Sequence, residues 1–245
     1  MSQETNYPNV SILIPTWNRR NFLPLLMTNL YIQTYPKDKL EVVIFDDHKD
    51  NPLFYNDDEV RVISQRVGIK IRYIYDPKRH LSIGEKRNKL VKLANYKYLI
   101  NMDDDDVYQA NYIKYSMDLL LKNKCGLVGS PQMIFCYPYH NYKITAIKCP
   151  SKRQIHEATM CYTKRHWKSM GGYSKSGTGE GAGLVDFNEN RCVVSECYEC
   201  MICICHKGNT CDKEQFLEKD IKGDGADISD ELKNLIGQCF GLQKV

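Results

Sequence analysis

Four consecutive carboxylates, Asp103-Asp104-Asp105-Asp106, follow the short apolar run Tyr98-Leu99-Ile100-Asn101-Met102. Adjacent like charges repel, so a fold gains from such a cluster only where something positive meets it. Hard divalent cations take oxygen ligands, and Mg²⁺ or Mn²⁺ commonly binds through one or two carboxylates together with phosphate oxygens. The acids therefore read either as a metal–diphosphate site at the carboxyl end of a strand or as a solvated acidic loop. A second pair, Asp46-Asp47, ends the run Leu40-Glu41-Val42-Val43-Ile44-Phe45. It reads as a ligand-facing pair or as a turn. On a helix starting near Ile83, residues Ile83, Arg87, Leu90 and Ala94 share a face. An arginine in that apolar stripe either snorkels to an edge or meets an acid or a phosphate.

The elements that must hold these groups can be read from the apolar pattern. Val10-Ser11-Ile12-Leu13-Ile14-Pro15 is a buried strand stopped by proline. Asn21 is placed to cap a helix running to about Thr34, with Pro24 in its first turn. The strand from Leu40, a helix ending at Val67, a strand from Ile69 to Tyr75 and the capping-box helix opened by Ser82-Ile83-Gly84-Glu85 follow in turn. Strands alternating with helical crossovers predict an α/β fold with a mostly parallel sheet covered on both faces. In such sheets ligands sit beyond the carboxyl ends of the strands. That rule singles out Pro15-Thr16-Trp17-Asn18, Asp46-Asp47 and Asp103 to Asp106. In the second half, alternating aromatics over Met133 to Tyr139 and Tyr142 to Ile147 predict an antiparallel pair, turning at His140-Asn141. Gly171 to Gly183 reads as a mobile glycine-rich loop. Met201 to Cys205 reads as a strand and Asp230 to Cys239 as a helix.

A chain of 245 residues with 42% hydrophobic and 26% charged residues is an ordinary globular composition. The net charge of +4 is spread along the chain, which argues against nucleic acid as a partner. No apolar run approaches the about 20 residues of a membrane span, and Met1 to Pro8 has no signal-peptide core. A cytoplasmic protein is expected. Of eleven cysteines, seven lie after residue 190. An odd count without a secretion signal argues for thiols rather than a disulfide framework. Cys197-x-x-Cys200 has zinc-knuckle spacing but no matching second pair, since Cys211 stands alone. Met201-Ile202-Cys203-Ile204-Cys205 also reads as a strand using cysteine as a small apolar residue.

The motifs in order, Val10 to Arg19, Val43-Ile44-Phe45-Asp46-Asp47, Gly84-Glu85-Lys86-Arg87-Asn88 and Met102 to Asp106, resemble glycosyltransferase family 2 and other GT-A enzymes over roughly the first 125 residues. The resemblance implies one GT-A domain, Rossmann-like, with helices on both faces of a mostly parallel sheet and a smaller antiparallel element in the second half. A nucleotide-sugar half would run to about 106, an acceptor half over about 107–215 and a helical tail over about 216–245. It implies Mn²⁺ or Mg²⁺, a UDP- or GDP-sugar donor, a glycan, glycoprotein or lipid-linked acceptor, and inversion by direct displacement. Pro15, Thr16, Asn18, Asp46, Asp47, Arg87, Asp103 and Asp104 would bind donor, with Asp47 accepting from a nucleobase N–H. Asp103 and Asp105 become the acids of the DXD motif, with Asp105 the first choice for metal; Asp103 and His206 would complete the ligand set. The family's general base follows a glycine-glycine-aromatic segment; here Gly171-Gly172-Tyr173 precedes Glu180 and Asp186, with Glu180 preferred. Tyr137, Tyr139 and Trp167 are candidates to stack on a sugar. A nucleotidyltransferase of the same fold class and a non-enzymatic zinc module built on the cysteines are the competing readings. The first lacks its usual glycine-rich loop after the opening strand.

Overall fold

The computed structural model describes residues 7–149, 154–185, 191–218 and 228–242. The first half alternates β1 (Val10–Thr16), α1 (Leu23–Ile32), β2 (Leu40–Asp46), α2 (Asp57–Val67), β3 (Lys70–Tyr75), α3 (Ile83–Leu93) and β4 (Tyr98–Asn101). β1 pairs parallel with both β2 and β4, and β2 pairs parallel with β3. β1 and β2 are buried along their whole length, as continuous apolar strands under two helical layers must be. Their register sets Thr16 beside Asp46, so the chain leaves both strands at the same edge.

The second half begins with β5 (Val107–Tyr108), α4 (Tyr112–Asn123), β6 (Leu127–Gly129), β7 (Gln132–Tyr137) and β8 (Lys143–Lys148). It continues through β9 (Cys161–Thr163), α5 (Lys164–Ser169), β10 (Cys192–Val194), β11 (Met201–Ile204) and α6 (Asp230–Phe240). Among the described residues the central sheet runs β10-β6-β9-β4-β1-β2-β3, with β9 antiparallel to both neighbours. A smaller sheet, β5-β11-β7-β8, contains the expected β7–β8 antiparallel pair. Apolar side chains pack on both faces of the central sheet. The architecture is the expected mostly parallel α/β arrangement with a smaller sheet in the second half.

Two local expectations change. Asn21 does not cap α1, because Arg20–Phe22 form a 3-10 turn and the helix starts only at Leu23. The Asn21 amide instead donates to the Cys239 carbonyl at 2.8 Å, tying the turn before α1 to α6. The β7–β8 reversal is longer than a two-residue turn: Pro138–His140 coil into a 3-10 turn, and Asn141 and Tyr142 both adopt positive φ, 51° and 56°. The Ser82 capping box forms as its pattern predicts, Ser82 Oγ accepting the Glu85 N–H at 3.2 Å and the Glu85 carboxylate accepting the Ser82 N–H at 3.1 Å.

Candidate active site

The carboxyl ends of β1, β2 and β4 open on a cavity of about 570 Å³. Pro15, Thr16 and Trp17 line it, with Arg19, Asp103 to Asp106, Arg87 and Glu180. Of the β2 acids, Asp46 organises its own turn. It accepts the His48 and Leu53 N–H groups at 3.0 and 2.7 Å and the Tyr73 hydroxyl at 2.7 Å. Asp47 is buried behind the cavity wall. Its carboxylate accepts the Leu81 N–H at 2.6 Å and lies 2.5 Å from Lys86 Nζ, which also donates to the Thr16 carbonyl at 2.9 Å. Burial lowers the Lys86 pKa against the pull of Asp47. Trp17 stays 43% exposed, its ring 4.9 Å from His48 and 5.1 Å from His80. An aromatic face is thus left open at the cavity edge. Asn18 takes a left-handed conformation, φ 57°, and accepts from Asn51 at 2.8 Å, away from the cavity lining.

The four acids after β4 have different partners. Asp103 takes Arg87 Nη2 at 3.0 and 3.2 Å. Asp104 accepts a short hydrogen bond from the Thr16 hydroxyl and lies 3.9 Å from Arg19 Nε. Asp105 meets Arg19 Nη2 at 3.1 Å and His206 Nε2 at 2.9 Å. Asp106 accepts the Ile204 N–H at 2.9 Å while its carbonyl accepts from Asn29 at 2.7 Å, so it joins β11 to α1. These environments separate the acids. Burial, with the Asp105 charge beside it, holds Asp104 well above the ordinary carboxylate range. Burial acts the same way on Asp105, but the His206 hydrogen bond and the Arg19 charge outweigh it and hold its pKa below that range.

Arg87 does not snorkel. Its side chain is 4% exposed, and besides Asp103 it donates Nε to Glu180 at 2.9 Å. Burial opposes its charge, and Asp103 and Glu180 outweigh that opposition. Its Nη1 is buried and, among the described residues, has no hydrogen-bond partner. The glycine-rich segment carries Glu180 into this position. The Ser174 N–H donates to the Glu180 carbonyl at 2.9 Å, and a Cβ on Gly84 would fall 1.8 Å from the Ser174 carbonyl oxygen. A glycine in the first turn of α3 is therefore what lets the loop lie against the helix. Asn88 fixes the loop's start, accepting the Tyr173 N–H at 2.9 Å and donating to the Tyr173 carbonyl at 2.8 Å. Asp186 lies outside the described residues.

The pattern reading missed three participants. Arg19 had a signal, standing directly after the β1 motif, as did Lys86 beside Arg87. Glu157 had none: it opens the 3-10 turn Glu157–Thr159, lines the cavity, and accepts the Gly181 N–H at 2.9 Å. The aromatics offered for sugar stacking lie elsewhere. Tyr137 is in the core with its hydroxyl on the Lys213 carbonyl at 2.9 Å. Tyr139 packs edge-on against Phe240, and Trp167 donates to Asn88. Cys197, Cys200, Cys203 and Cys205 are free thiols buried in the core, and burial pushes Cys197 and Cys200 up to about 12. Small apolar packing accounts for them.

Among the described residues, no three His, Cys, Asp or Glu side chains are placed to hold a metal ion by themselves. The donor chemistry still fits a hard cation carried in by a diphosphate, which needs only one or two protein ligands. Asp105 and His206 adjoin, and the Arg19 guanidinium already lies as a cation against Asp104 and Asp105. No helix among the described residues is long and apolar enough to cross a membrane.

Comparison with known proteins bears on this site. The model for glycosyl transferase family 2 matches residues 11–183. An uncharacterised glycosyltransferase of Rickettsia prowazekii (strain Madrid E) is 28% identical over 160 residues, covering 64% of this chain and 46% of the relative. The poly(ribitol-phosphate) beta-N-acetylglucosaminyltransferase TarP of Staphylococcus aureus (strain N315) is 26% identical over 137 residues, 51% of this chain and 40% of the relative. The chain thus spans less than half the length of both. Among solved structures, S. aureus TarS 1–349 in complex with UDP-GlcNAc has a TM-score of 0.63 at 16% identity, covering 94% of this chain and 66% of that one. The mannosyltransferase PcManGT of Pyrobaculum calidifontis, in complex with GDP-Man and Mn²⁺, has a TM-score of 0.59 at 16% identity, covering 86% and 59%. At that identity the likeness shows the shared fold.

Proposed function

Because the chain belongs to glycosyl transferase family 2, we propose that it moves a sugar from a nucleotide-diphosphate donor to an acceptor hydroxyl in the cavity beyond β1, β2 and β4. One observation carries the reading: Asp103, Asp104 and Asp105 converge there with Arg19 and Arg87, and His206 backs Asp105. Buried acids matched by fixed cations form a site organised before any ligand enters.

The nucleobase lies on the wall of Pro15, Thr16 and Trp17. Asp47 supports that wall from behind, through the Leu81 N–H and Lys86. Asp46 shapes the adjoining turn. Asn18, exposed at the rim, holds the segment after β1 to Asn51. Asp104 is fixed by Thr16, and Asp103 by Arg87, so both stand ready for ribose or ion-bound water. Asp105 and His206, with Asp103 beside them, would hold Mn²⁺ or Mg²⁺, and such an ion would draw charge from the departing diphosphate. Arg19 and Arg87 offset the same charge from the protein side. The acceptor, a glycan, glycoprotein or lipid-linked hydroxyl, attacks the anomeric carbon opposite the diphosphate, which inverts its configuration. Its proton goes to a carboxylate of the second half, where Glu180 and Glu157 line the cavity.

A screen of UDP-GlcNAc, UDP-glucose and GDP-mannose tests this, by thermal shift and by nucleotide release with and without Mn²⁺. At least one donor is expected to raise the melting temperature and to be hydrolysed only with metal. If no donor stabilises the protein or releases nucleotide, the glycosyltransferase reading fails.

A further inference from the structure

The two second-half carboxylates in the cavity have different chemistry. Glu180 gives an oxygen to Arg87 Nε at 2.9 Å and is 5% exposed. That oxygen is held by a buried guanidinium as part of the ion-pair network that also carries Asp103. Among the described residues no ion pair reaches Glu157. Among the described residues its Oε1 accepts the neutral Gly181 N–H, at 2.9 Å. Burial, and then the Glu180 charge, push its pKa above the ordinary carboxylate value, against the more distant pull of Arg87. A higher pKa makes a stronger general base.

Two further contacts show that this placement is built. Asn101, at the end of β4, donates Nδ2 to the Glu157 carbonyl at 2.7 Å and so pins the turn that carries it. Gly181 supplies the room. Its φ of −87° is open to any residue, so the backbone does not call for glycine there. A Cβ at that position would instead fall 2.7 Å from Glu157 Cγ and 3.1 Å from Oε1. The glycine accommodates the glutamate.

We propose that Glu157 takes the proton of the attacking acceptor hydroxyl, while Glu180 positions Arg87 and the glycine-rich loop. The inference rests on the glycosyltransferase reading above. In the step, the acceptor oxygen bonds to the anomeric carbon as the bond from that carbon to the diphosphate oxygen breaks. The hydroxyl proton passes to a Glu157 oxygen, and the bonding pair leaves with the nucleoside diphosphate.

The test uses water as acceptor and UDP-GlcNAc, UDP-glucose and GDP-mannose as probes, with Mn²⁺. Glu157→Gln keeps the size of the side chain and an oxygen for Gly181. It is expected to lower donor hydrolysis by about 100-fold or more, the usual worth of a general base. Donor affinity, read by calorimetry, should stay within about threefold, and the acidic limb of the kcat/KM profile should disappear. Glu180→Gln is expected to keep that limb and to lower the melting temperature. Gly181→Ala, which crowds Glu157 without removing it, should cut the rate by about tenfold or more with donor binding retained. Hydrolysis by Glu157→Gln at the wild-type rate, or loss of the acidic limb in Glu180→Gln but not in Glu157→Gln, overturns the assignment while leaving the glycosyltransferase reading intact. A wild-type protein that neither binds nor hydrolyses any of the three donors removes both.

Discussion

The two walls of the cavity handle charge in opposite ways. On the first-half wall, acids meet cations from distant stretches: Asp47 meets Lys86, Asp103 meets Arg87, and Asp104 and Asp105 share Arg19. On the second-half wall Glu180 joins that network through Arg87, but beyond it Glu157 meets a backbone N–H and its neighbour His156 lies 3.7 Å from the Cys149 thiol. The first arrangement fixes charge and suits a ligand with a constant negative charge, such as a diphosphate. The second leaves proton affinity free, which suits a group that must accept a proton. Matching also carries a liability. Asp47, Lys86, Arg87, Asp104 and Asp105 are buried, so removing the partner of any of them strands a buried charge.

The largest effect should come from the centre of the matched wall. Asp105→Ala is expected to lower Mn²⁺-dependent donor turnover by about 100-fold or more, comparable to removing a preorganised electrostatic contact in an active site. Its circular dichroism should match the wild type, and chelation of metal from the wild-type protein should produce the same loss. Unchanged turnover would take Asp105 out of the site. Arg87→Met comes next and reads out in stability. It strands Asp103 and Glu180, and breaking a buried pair costs about 3–5 kcal/mol. Urea unfolding should show that loss, whereas Arg61→Met, which breaks the exposed pair with Asp58, should leave the midpoint nearly where it was. Equal midpoints for the two variants would mean that the first wall is not held by charge matching.

What the sequence reveals follows the range of the interactions. The first-half strands, the Ser82 capping box and the inward face carrying Arg87 depend on residues within a few positions of one another, and all are present in the structure. The acids after β2 and β4 stand out because the strands that deliver them do. Their partners do not: Thr16 reaches Asp104 across 88 positions and Arg87 reaches Glu180 across 93. Nothing local encodes such pairings. Asn21 misleads because a 3-10 turn delays the helix and turns a good capping residue toward α6. Glu157 is hidden for a further reason. Its segment has no helical or strand period, and the one trace it leaves is a glycine at 181 that makes sense only once the chain is folded.

The smallest effect tests the second wall alone. Burial, and then the charge of Lys213, lower the His156 pKa to about 4, against about 6.5 for an unperturbed histidine. Between those values the unfolded chain binds a proton that the folded chain refuses. The contribution of His156 to stability is therefore complete above about pH 6.5 and is lost as pH falls toward 4, by about 1–3 kcal/mol. Glu157 works in the opposite sense, because its raised pKa makes the folded state gain relative stability as the pH falls through that pKa. Asp105, whose pKa lies below the ordinary carboxylate value, loses its contribution only at lower pH. Urea unfolding at pH 7.5, 6.0 and 5.0 separates these contributions. His156→Gln is expected to flatten the decline in stability over that interval, and Glu157→Gln to steepen it. If His156→Gln leaves the decline unchanged, the second wall is open to water, and the contrast between a charge-matched wall and one that stores proton affinity by burial is lost.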